Sequence, residues 1–427
     1  MTDFILQDVQ VFTGETSVPV GYVAVRDGLI YAVGPGAPPS NLAHIPRYSF
    51  PNYTVLPGMI DCHVHAFLGD DGCMSTSLQF GITTVLDMHN EPEFVKRLKA
   101  LAADPAHYST HADFKTSGLA ASIENGYPYK LITDFVKDPE AIAASKTWTK
   151  LKAPEEADQY VQDRIQQGSD YIKLFHESGK TWGWDLTLPT QALQEAIIQA
   201  AHRRNLKTVA HAMAIDDTLS VLRAGVDGMA HTFCDEPITD EIVAAYKRNN
   251  AWVCPTLAAT GSMTSEGLGS QTEIARDSRV AAIIGEEESE RLCSCMGTCH
   301  GRGKLEYAID SVKVLRAEGI EVVCGSDSVG PGKPGVGWGA SYIHELNMFV
   351  EDVGMTSEEA LRTATSVPAR RFGFKDRGLL EPGRLADLVL VKGNPVQDIG
   401  DLMNIEGIWR KGVVCERHKD VLRSKEA

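Results

Sequence analysis

The chain has 427 residues, 43% of them hydrophobic and 23% charged, a globular composition long enough for one large domain and a smaller companion. Its 57 Asp and Glu outnumber its 41 Lys and Arg, giving a formal net charge of −16 with no basic run to follow a phosphate backbone, so no nucleic-acid partner is expected. The start "MTDFILQDVQVFTGE" lacks the character of a secretory signal, no window offers the roughly 18 uncharged apolar residues of a membrane span, and nine scattered cysteines, an odd number, read as reduced thiols; a cytoplasmic protein without membrane contact is expected.

Residues 4–33 alternate in polarity as short strands, "FILQDVQVF" and "YVAVRDGLIYAVG", with "RDG" as a hairpin turn. From residue 54 the pattern changes to eight β-rich runs, at 54–65, 83–90, 111–121, 169–177, 207–213, 226–233, 251–259 and 321–328. Between them lie amphipathic segments such as "PEFVKRLKALAA", "LPTQALQEAIIQAAHRRN", "DDTLSVLRAG" and "TDEIVAAYKRNN", several opened by Asp or Thr and closed by Gly or Asn. Eight β runs separated by helices predict an α/β fold, a parallel (β/α)8 TIM barrel. An open doubly wound sheet would need a glycine-rich phosphate loop, and neither GxGxxG nor GxxxxGK[ST] occurs.

The long connections 122–168 and 260–320 are expected to carry helices of their own and to cover the barrel mouth. Within the second, "CSCMGTCH" places Cys293, Cys295, Cys299 and His300 close together, but the spacing is not a paired CxxC and the flanks read as helical, so a helix or helix-loop is predicted. After closing helices, β character returns in "ADLVLVKGN" and "IEGIWRKGVVCER". The expected organisation is a small β-sandwich built from both chain termini, 1–56 and 375–427, beside a catalytic barrel spanning 57–374.

Barrel active sites form at the C-terminal ends of the strands, so polar residues late in each run are the candidates. Run one ends in His63 and His65, run four holds Lys173, run five His211, run six His231, and run eight ends near Asp327. Side chains two residues apart on a strand share a face, so His63 and His65 can grip one ion. A lone histidine ending a strand is more often a hydrogen-bonded core or surface residue, and the HxH pair alone is evenly balanced between that and a ligand pair. The gathering of the candidates at one end of separate runs predicts a metal centre, and imidazole with carboxylate suits Zn, Mn, Fe, Co or Ni without choosing among them. Lys173 near a cation is repulsive. A salt bridge to an acid would explain it, and so would a carbamate formed with CO2, an anionic ligand able to bridge two ions.

"PGMIDCHVH", "GSDYIKLF", "VAHAM", "GVDGMAHTF" and "CGSDS" together resemble the amidohydrolase superfamily, whose pattern they match in order, while "GLLEPGRLADLVLVKGNP" looks like its C-terminal sandwich segment. "AHA" followed by "AGVDGMAHTF", "WVCPTLAA" and "EALRTATSVPARRFG" is most similar to the imidazolonepropionase and Xaa-Pro dipeptidase branch, with ochratoxin-hydrolysing amidohydrolases nearby. "FHESGKTWGWD" departs from the serine and paired glycines that relatives often carry after the lysine. The resemblance implies two divalent ions, first of all Zn, one on His63, His65 and Asp327 and the other on His211 and His231. N-carboxylated Lys173 and a hydroxide would lie between them, in a protein that assembles as a homo-oligomer.

The implied reaction is hydrolysis of a C–N bond in a small molecule, an amide, a dipeptide or N-acyl amino acid, or a cyclic amide. Metal coordination acidifies water and polarises a carbonyl, and Asp327 is the expected catalytic proton shuttle. Decarboxylation, deamination and ester or lactone hydrolysis remain open at the same site. Serine chemistry lacks a G-x-S-x-G elbow, and a non-catalytic scaffold is disfavoured because every ligand position is filled. Candidate substrate contacts are His176, His344 and Tyr127, with Tyr129, Trp182 and Trp184 as further aromatic wall; a hydrogen bond to a neighbour or a helix cap explains the histidines at least as well, and aromatic loop packing is the better-supported reading of the rings. Asp61, at the same parity and deeper in the strand, is expected to be a supporting residue of the centre or a buried polar contact, without binding metal.

Overall fold

The structure, a computed structural model, describes residues 3–330 and 333–423. Its centre is parallel sheet. Met59–Val64, Ile82–Asp87 and Asp113–Thr116 form one three-stranded arc, and Ile172–Phe175, Thr208–His211, Gly228–Ala230 and Trp252–Cys254 a four-stranded one. Strands such as "MIDCHV" and "ITTVLD" are buried at every position, as parallel strands covered on both faces must be.

The arcs touch through single parallel bridges. Ala121 pairs with Leu174, and the expected eighth run meets both neighbours, Val322 bridging to Val253 and Ser328 to Val64. That run forms no ladder of its own, in contrast to the sequence expectation. The cause is local: Asp327 has φ of +51°, a left-handed backbone that breaks the pleat, and Ser326 engages the Asp61 side chain through both its N–H and its hydroxyl.

The first run also differs from expectation, because it is two strands. Tyr53–Pro57 joins the terminal strands and Met59–Val64 the parallel sheet. Gly58 stands between them, where a Cβ would lie 2.2 Å from Thr83 Oγ1. Segments from both chain ends form a single eight-stranded sheet in the order Val413–Val414, Ile405–Arg410, Leu388–Lys392, Tyr53–Pro57, Phe4–Phe12, Ser17–Arg26, Leu29–Pro35, with Arg47–Ser49 also on Phe4–Phe12. The hairpin turns at Asp27–Gly28, both at positive φ, as the sequence "DG" demands. This sheet covers its own apolar cluster, with Phe4 and Trp409 rings 5.4 Å apart.

Buried arginines fasten the sheet to the parallel strands. Arg377 Nη1 lies 2.6 Å and Arg410 Nη2 3.2 Å from the carboxylate of Asp113, at the start of Asp113–Thr116. Both long connections carry helices, among them Leu131–Val136, Pro139–Ser145 and Ala157–Gln166 in the first and Leu268–Arg276, Glu286–Leu292 and Leu305–Ala317 in the second. "CSCMGTCH" is the irregular link after Glu286–Leu292. Its Cys299 is buried while His300 is exposed, and the four do not gather as a metal-binding group among the described residues. No helix among the described residues is long and apolar enough to cross a membrane.

Candidate metal centre

The C-terminal ends of the parallel strands converge on one cavity of about 210 Å3, lined by His63, His65, Lys173, His211, His231 and Asp327. His63 is the penultimate residue of Met59–Val64 and His65 follows the strand, so the two-residue spacing brings their Nε2 atoms to 3.3 Å. Asp327 Oδ1 lies 3.1 Å from His63 Nε2 and 3.2 Å from His65 Nε2. These three atoms form the one group among the described residues whose donors gather as metal ligands would. Asp327 is turned toward them by its left-handed backbone, with its N–H donated to the His63 carbonyl at 2.8 Å.

His231, also left-handed at φ +81°, ends the Gly228–Ala230 strand; its ring lies 4.9 Å from that of His63, and its Nδ1 is 2.8 Å from Thr256 Oγ1 and 3.8 Å from Asp327 Oδ2. The His211 ring lies 4.8 Å from that of His231. Its Nε2 is 3.3 Å from Glu177 Oε2, but the alignment makes no hydrogen bond and the nitrogen stays buried and unpaired. Glu177 itself accepts the N–H of Gly179 at 2.7 Å and of Met213 at 3.1 Å, so it is held in place beside His211.

Burial governs the electrostatics. It pulls His63 down to about 3 and His211 and His231 well below the usual imidazole value, leaving neutral rings whose nitrogens can donate to a metal. Burial also pulls Lys173 down to about 7, and the amine makes no hydrogen bond or ion pair among the described residues. For Asp327 burial opposes ionisation, yet the neighbouring His63 and His231 outweigh it and hold the carboxyl well below the carboxylate range.

Asp61 sits one pleat deeper and is fully buried. Its Oδ1 accepts the N–H groups of His63 and Ser326 at 3.1 and 3.0 Å, and its Oδ2 the Ser326 hydroxyl at 2.6 Å, which is the supporting place expected of it. Asp87 acts likewise on the following loop, accepting from Ala66 N–H at 2.9 Å and Thr116 Oγ1 at 2.7 Å.

Of the three candidate substrate contacts, Tyr127 lines the cavity, stacked on His211 at 4.2 Å and 12° with Trp182 parallel at 5.5 Å. His176 and His344 do not line it. His176 has the opposite strand parity to Lys173, and its Nδ1 accepts from Gln194 Nε2. His344 is buried inside the helix Ala340–Glu351, its Nε2 2.9 Å from Ser270 Oγ. Trp184 packs behind Trp182 at 5.1 Å, and Tyr129 tilts against Trp148.

Sequence reasoning passed over Glu177, Thr256 and His89. His89 follows the second parallel strand in "DMHN" and lines the cavity. The rule that gathered the other candidates, polar residues at the ends of β runs, would have found it.

The residues present fit a divalent metal. Two imidazole nitrogens and a carboxylate oxygen converge at one point, further neutral imidazoles adjoin them, and the buried Nε2 of His211 has no hydrogen-bond partner among the described residues.

Known proteins carry the same architecture. A solved Xaa-Pro dipeptidase with bound methionine superposes over 97% of this chain and 99% of its own, with a TM-score of 0.74 at 19% identity. The ochratoxinase of A. niger does so over 97% and 95%, with a TM-score of 0.72, also at 19% identity. At such identities the likeness is one of fold, an α/β architecture of TIM-barrel type. An imidazolonepropionase of Alteromonas mediterranea is 38% identical over 79 residues, 18% of this chain and 18% of that protein. The curated relatives are matched over 18% of their own length or less. The sequence profile of the amidohydrolase family, by contrast, matches residues 54–415, from the strand before Gly58 to the last strands of the terminal sheet, and the chain belongs to that family.

Proposed function

We propose that this protein is a metal-dependent hydrolase that cleaves a C–N bond in a small amide-type molecule. The observation that carries the reading is the convergence of His63 Nε2, His65 Nε2 and Asp327 Oδ1 at 3.1 to 3.3 Å in a family of amidohydrolases. His63, His65 and Asp327 would hold one divalent ion, and His211 and His231 a second, with Lys173, N-carboxylated, between them. Zn is the first choice, with Mn, Co, Fe or Ni also compatible with these donors. When bound, such ions acidify water toward neutrality and polarise a carbonyl.

The remaining steps belong to the protein. Asp327, ionised and open to the cavity, takes the proton of the attacking water and passes it to the departing nitrogen. Tyr127 and Trp182 cover His211 and keep that side of the cavity dry. A Lys173 amine with its pKa near 7 is partly neutral at physiological pH, the form that takes up CO2. Walls such as Phe67, Leu131, Phe135 and Trp148 favour a substrate with an apolar or aromatic portion.

In this reading the two parallel arcs are one (β/α)8 barrel closed through the bridges at 121, 322 and 328. Residues 57–374 are the catalytic domain, and 1–56 with 375–427 a small sandwich-like domain. The enzyme works as a cytoplasmic homo-oligomer. Metal analysis of protein purified without added ions, joined to a hydrolysis screen over N-acyl amino acids, Xaa-Pro dipeptides, cyclic amides and aryl esters, tests the proposal. About two metals per chain with cleavage of one amide class is the expected result. Metal-free protein that gains no activity from Zn, Mn or Co overturns it.

A further inference from the structure

We propose that Thr256 and Glu345 are positioning residues of the centre: Glu345 caps the helix that follows Thr256, which frees the Thr256 hydroxyl to fix the His231 ring with Nε2 as its metal donor. The second ion, which His231 would share with His211, rests on the hydrolase reading above.

Thr256 directly precedes the helix Leu257–Thr264, the place where a threonine hydroxyl ordinarily accepts an N–H of the first turn. Among the described residues it makes no such bond. The first two N–H groups of the helix go instead to Glu345, 88 residues beyond Leu257, which accepts Leu257 N–H at 2.9 Å on one oxygen and Ala258 N–H at 2.8 Å on the other. Glu345 lies fully buried in the helix Ala340–Glu351, where a carboxylate is tolerated only if its oxygens are met by donors. Helix start and carboxylate thus satisfy each other, and the threonine hydroxyl is left over.

Its direction is set by the backbone. Thr256 has φ of +50°, a left-handed conformation that strains a β-branched residue. Such strain persists only where the surroundings over-determine it, and it clusters at functional sites. The hydroxyl oxygen lies 2.8 Å from His231 Nδ1, whereas Asp327 Oδ2, at 3.8 Å from the same nitrogen, is beyond hydrogen-bond reach. With Nδ1–H donated to the hydroxyl, the neutral imidazole keeps its lone pair on Nε2. The ring stands beside those of His63 and His211, at 4.9 and 4.8 Å. Metal-binding imidazoles are oriented in this way, by a hydrogen bond from the nitrogen that does not bind the metal. The support is separate from Asp61, which serves His63 and Ser326.

Val at position 256 keeps the shape and β-branch of Thr and removes only the hydroxyl, so the backbone strain is unchanged; Ser keeps the hydroxyl and relaxes the strain. Protein loaded with Co2+ in bicarbonate buffer is titrated with dipicolinate, and bound Co2+ is followed by its visible absorption. His211→Asn provides the reference for protein holding only the ion on His63, His65 and Asp327. Wild type should release two equivalents. Thr256→Val should give up the equivalent absent from His211→Asn about 10- to 100-fold more readily than wild type, with the other released in nearly the wild-type range, and Thr256→Ser should follow wild type. Glu345→Gln, which keeps one acceptor oxygen, should loosen the same equivalent about tenfold. A wild-type profile in Thr256→Val, an equal loosening of both equivalents, or a loss in Thr256→Ser as large as in Thr256→Val overturns the role of Thr256. An unchanged profile in Glu345→Gln removes Glu345 from the assignment. One equivalent in wild type overturns the two-ion reading by itself: the positioning of His231 then stands if Thr256→Val weakens that equivalent and Thr256→Ser does not, and falls otherwise.

Discussion

Asp61 holds Ser326 twice, taking its hydroxyl at 2.6 Å on one carboxylate oxygen and its backbone N–H at 3.0 Å on the other. The same side chain accepts the His63 N–H, so one buried carboxylate sets the positions of His63 and of the residue before Asp327. Two candidate ligands that lie far apart in sequence thereby share a support.

Replacing Asp61 with Ala leaves the His63 and Ser326 N–H groups without their acceptor, while the Ser326 hydroxyl keeps Ser328 Oγ at 2.7 Å and the His63 carbonyl at 3.3 Å. Each unmet buried donor costs about 1–3 kcal/mol, so urea unfolding should show a loss of about 2 kcal/mol or more. Supporting residues of this kind typically change metal affinity by about 10- to 100-fold. A competitive chelator titration is expected to find a loss in that range, and unchanged metal affinity would contradict the shared support.

Asp327→Asn keeps the size of the side chain and an oxygen for the metal while removing the proton acceptor. Metal content by atomic emission should stay close to wild type. Turnover of the best amide from the screen should fall about 10^2- to 10^4-fold. Undiminished turnover would remove Asp327 from the proton-transfer role.

Lys173 supplies a direct chemical readout. Protein equilibrated with 13C-labelled bicarbonate should show one carbamate carbonyl signal that is absent from Lys173→Ala, and activity should rise when bicarbonate is restored to depleted protein. A spectrum without that signal in fully active protein would rule out the modified lysine.

Asp113 governs acid stability. Burial disfavours its charge, but Arg377, Lys115 and Arg410 outweigh that and hold the carboxyl well below its usual value of 3.8. The folded state therefore binds this proton later than the unfolded chain. The contribution is complete above the unfolded value and is lost as pH falls through and below it. Asp113→Asn leaves Arg410, 1% exposed, without its ion pair and Arg377, 5% exposed, with Asp376 as its remaining carboxylate, a loss of about 3–5 kcal/mol. Its melting temperature should fall at pH 7 and depend less on pH below about 4 than that of wild type.

Much of the site was legible because strand alternation is a strict code. His63 and His65 share a face, and apolar runs with a polar end marked where each parallel strand stops. The eighth run was not legible as an interrupted strand, since the left-handed backbone of Asp327 leaves no compositional mark in "CGSDS". His344 was misplaced because sequence gives a helix without its rotation, and the rotation turns this side chain to Ser270. His176 was readable by parity against Lys173, and His89 by the same end-of-run rule applied to the second strand. The division of 54–65 at Gly58 follows from the different partners of its halves, Leu388–Lys392 for one and Ile82–Asp87 for the other, pairings that no local pattern records.

The positive φ angles of His231 and Asp327 bear on redesign of the centre. Any replacement at these positions passes two filters, donor chemistry and tolerance of left-handed backbone. Asn satisfies the second, while β-branched side chains fail it whatever they coordinate. A library that exchanges ligands to change metal preference should therefore yield folded variants more often at His63 and His65, which carry no such constraint. Changes at His231 and Asp327 to residues that disfavour left-handed backbone would need the loops behind them rebuilt as well.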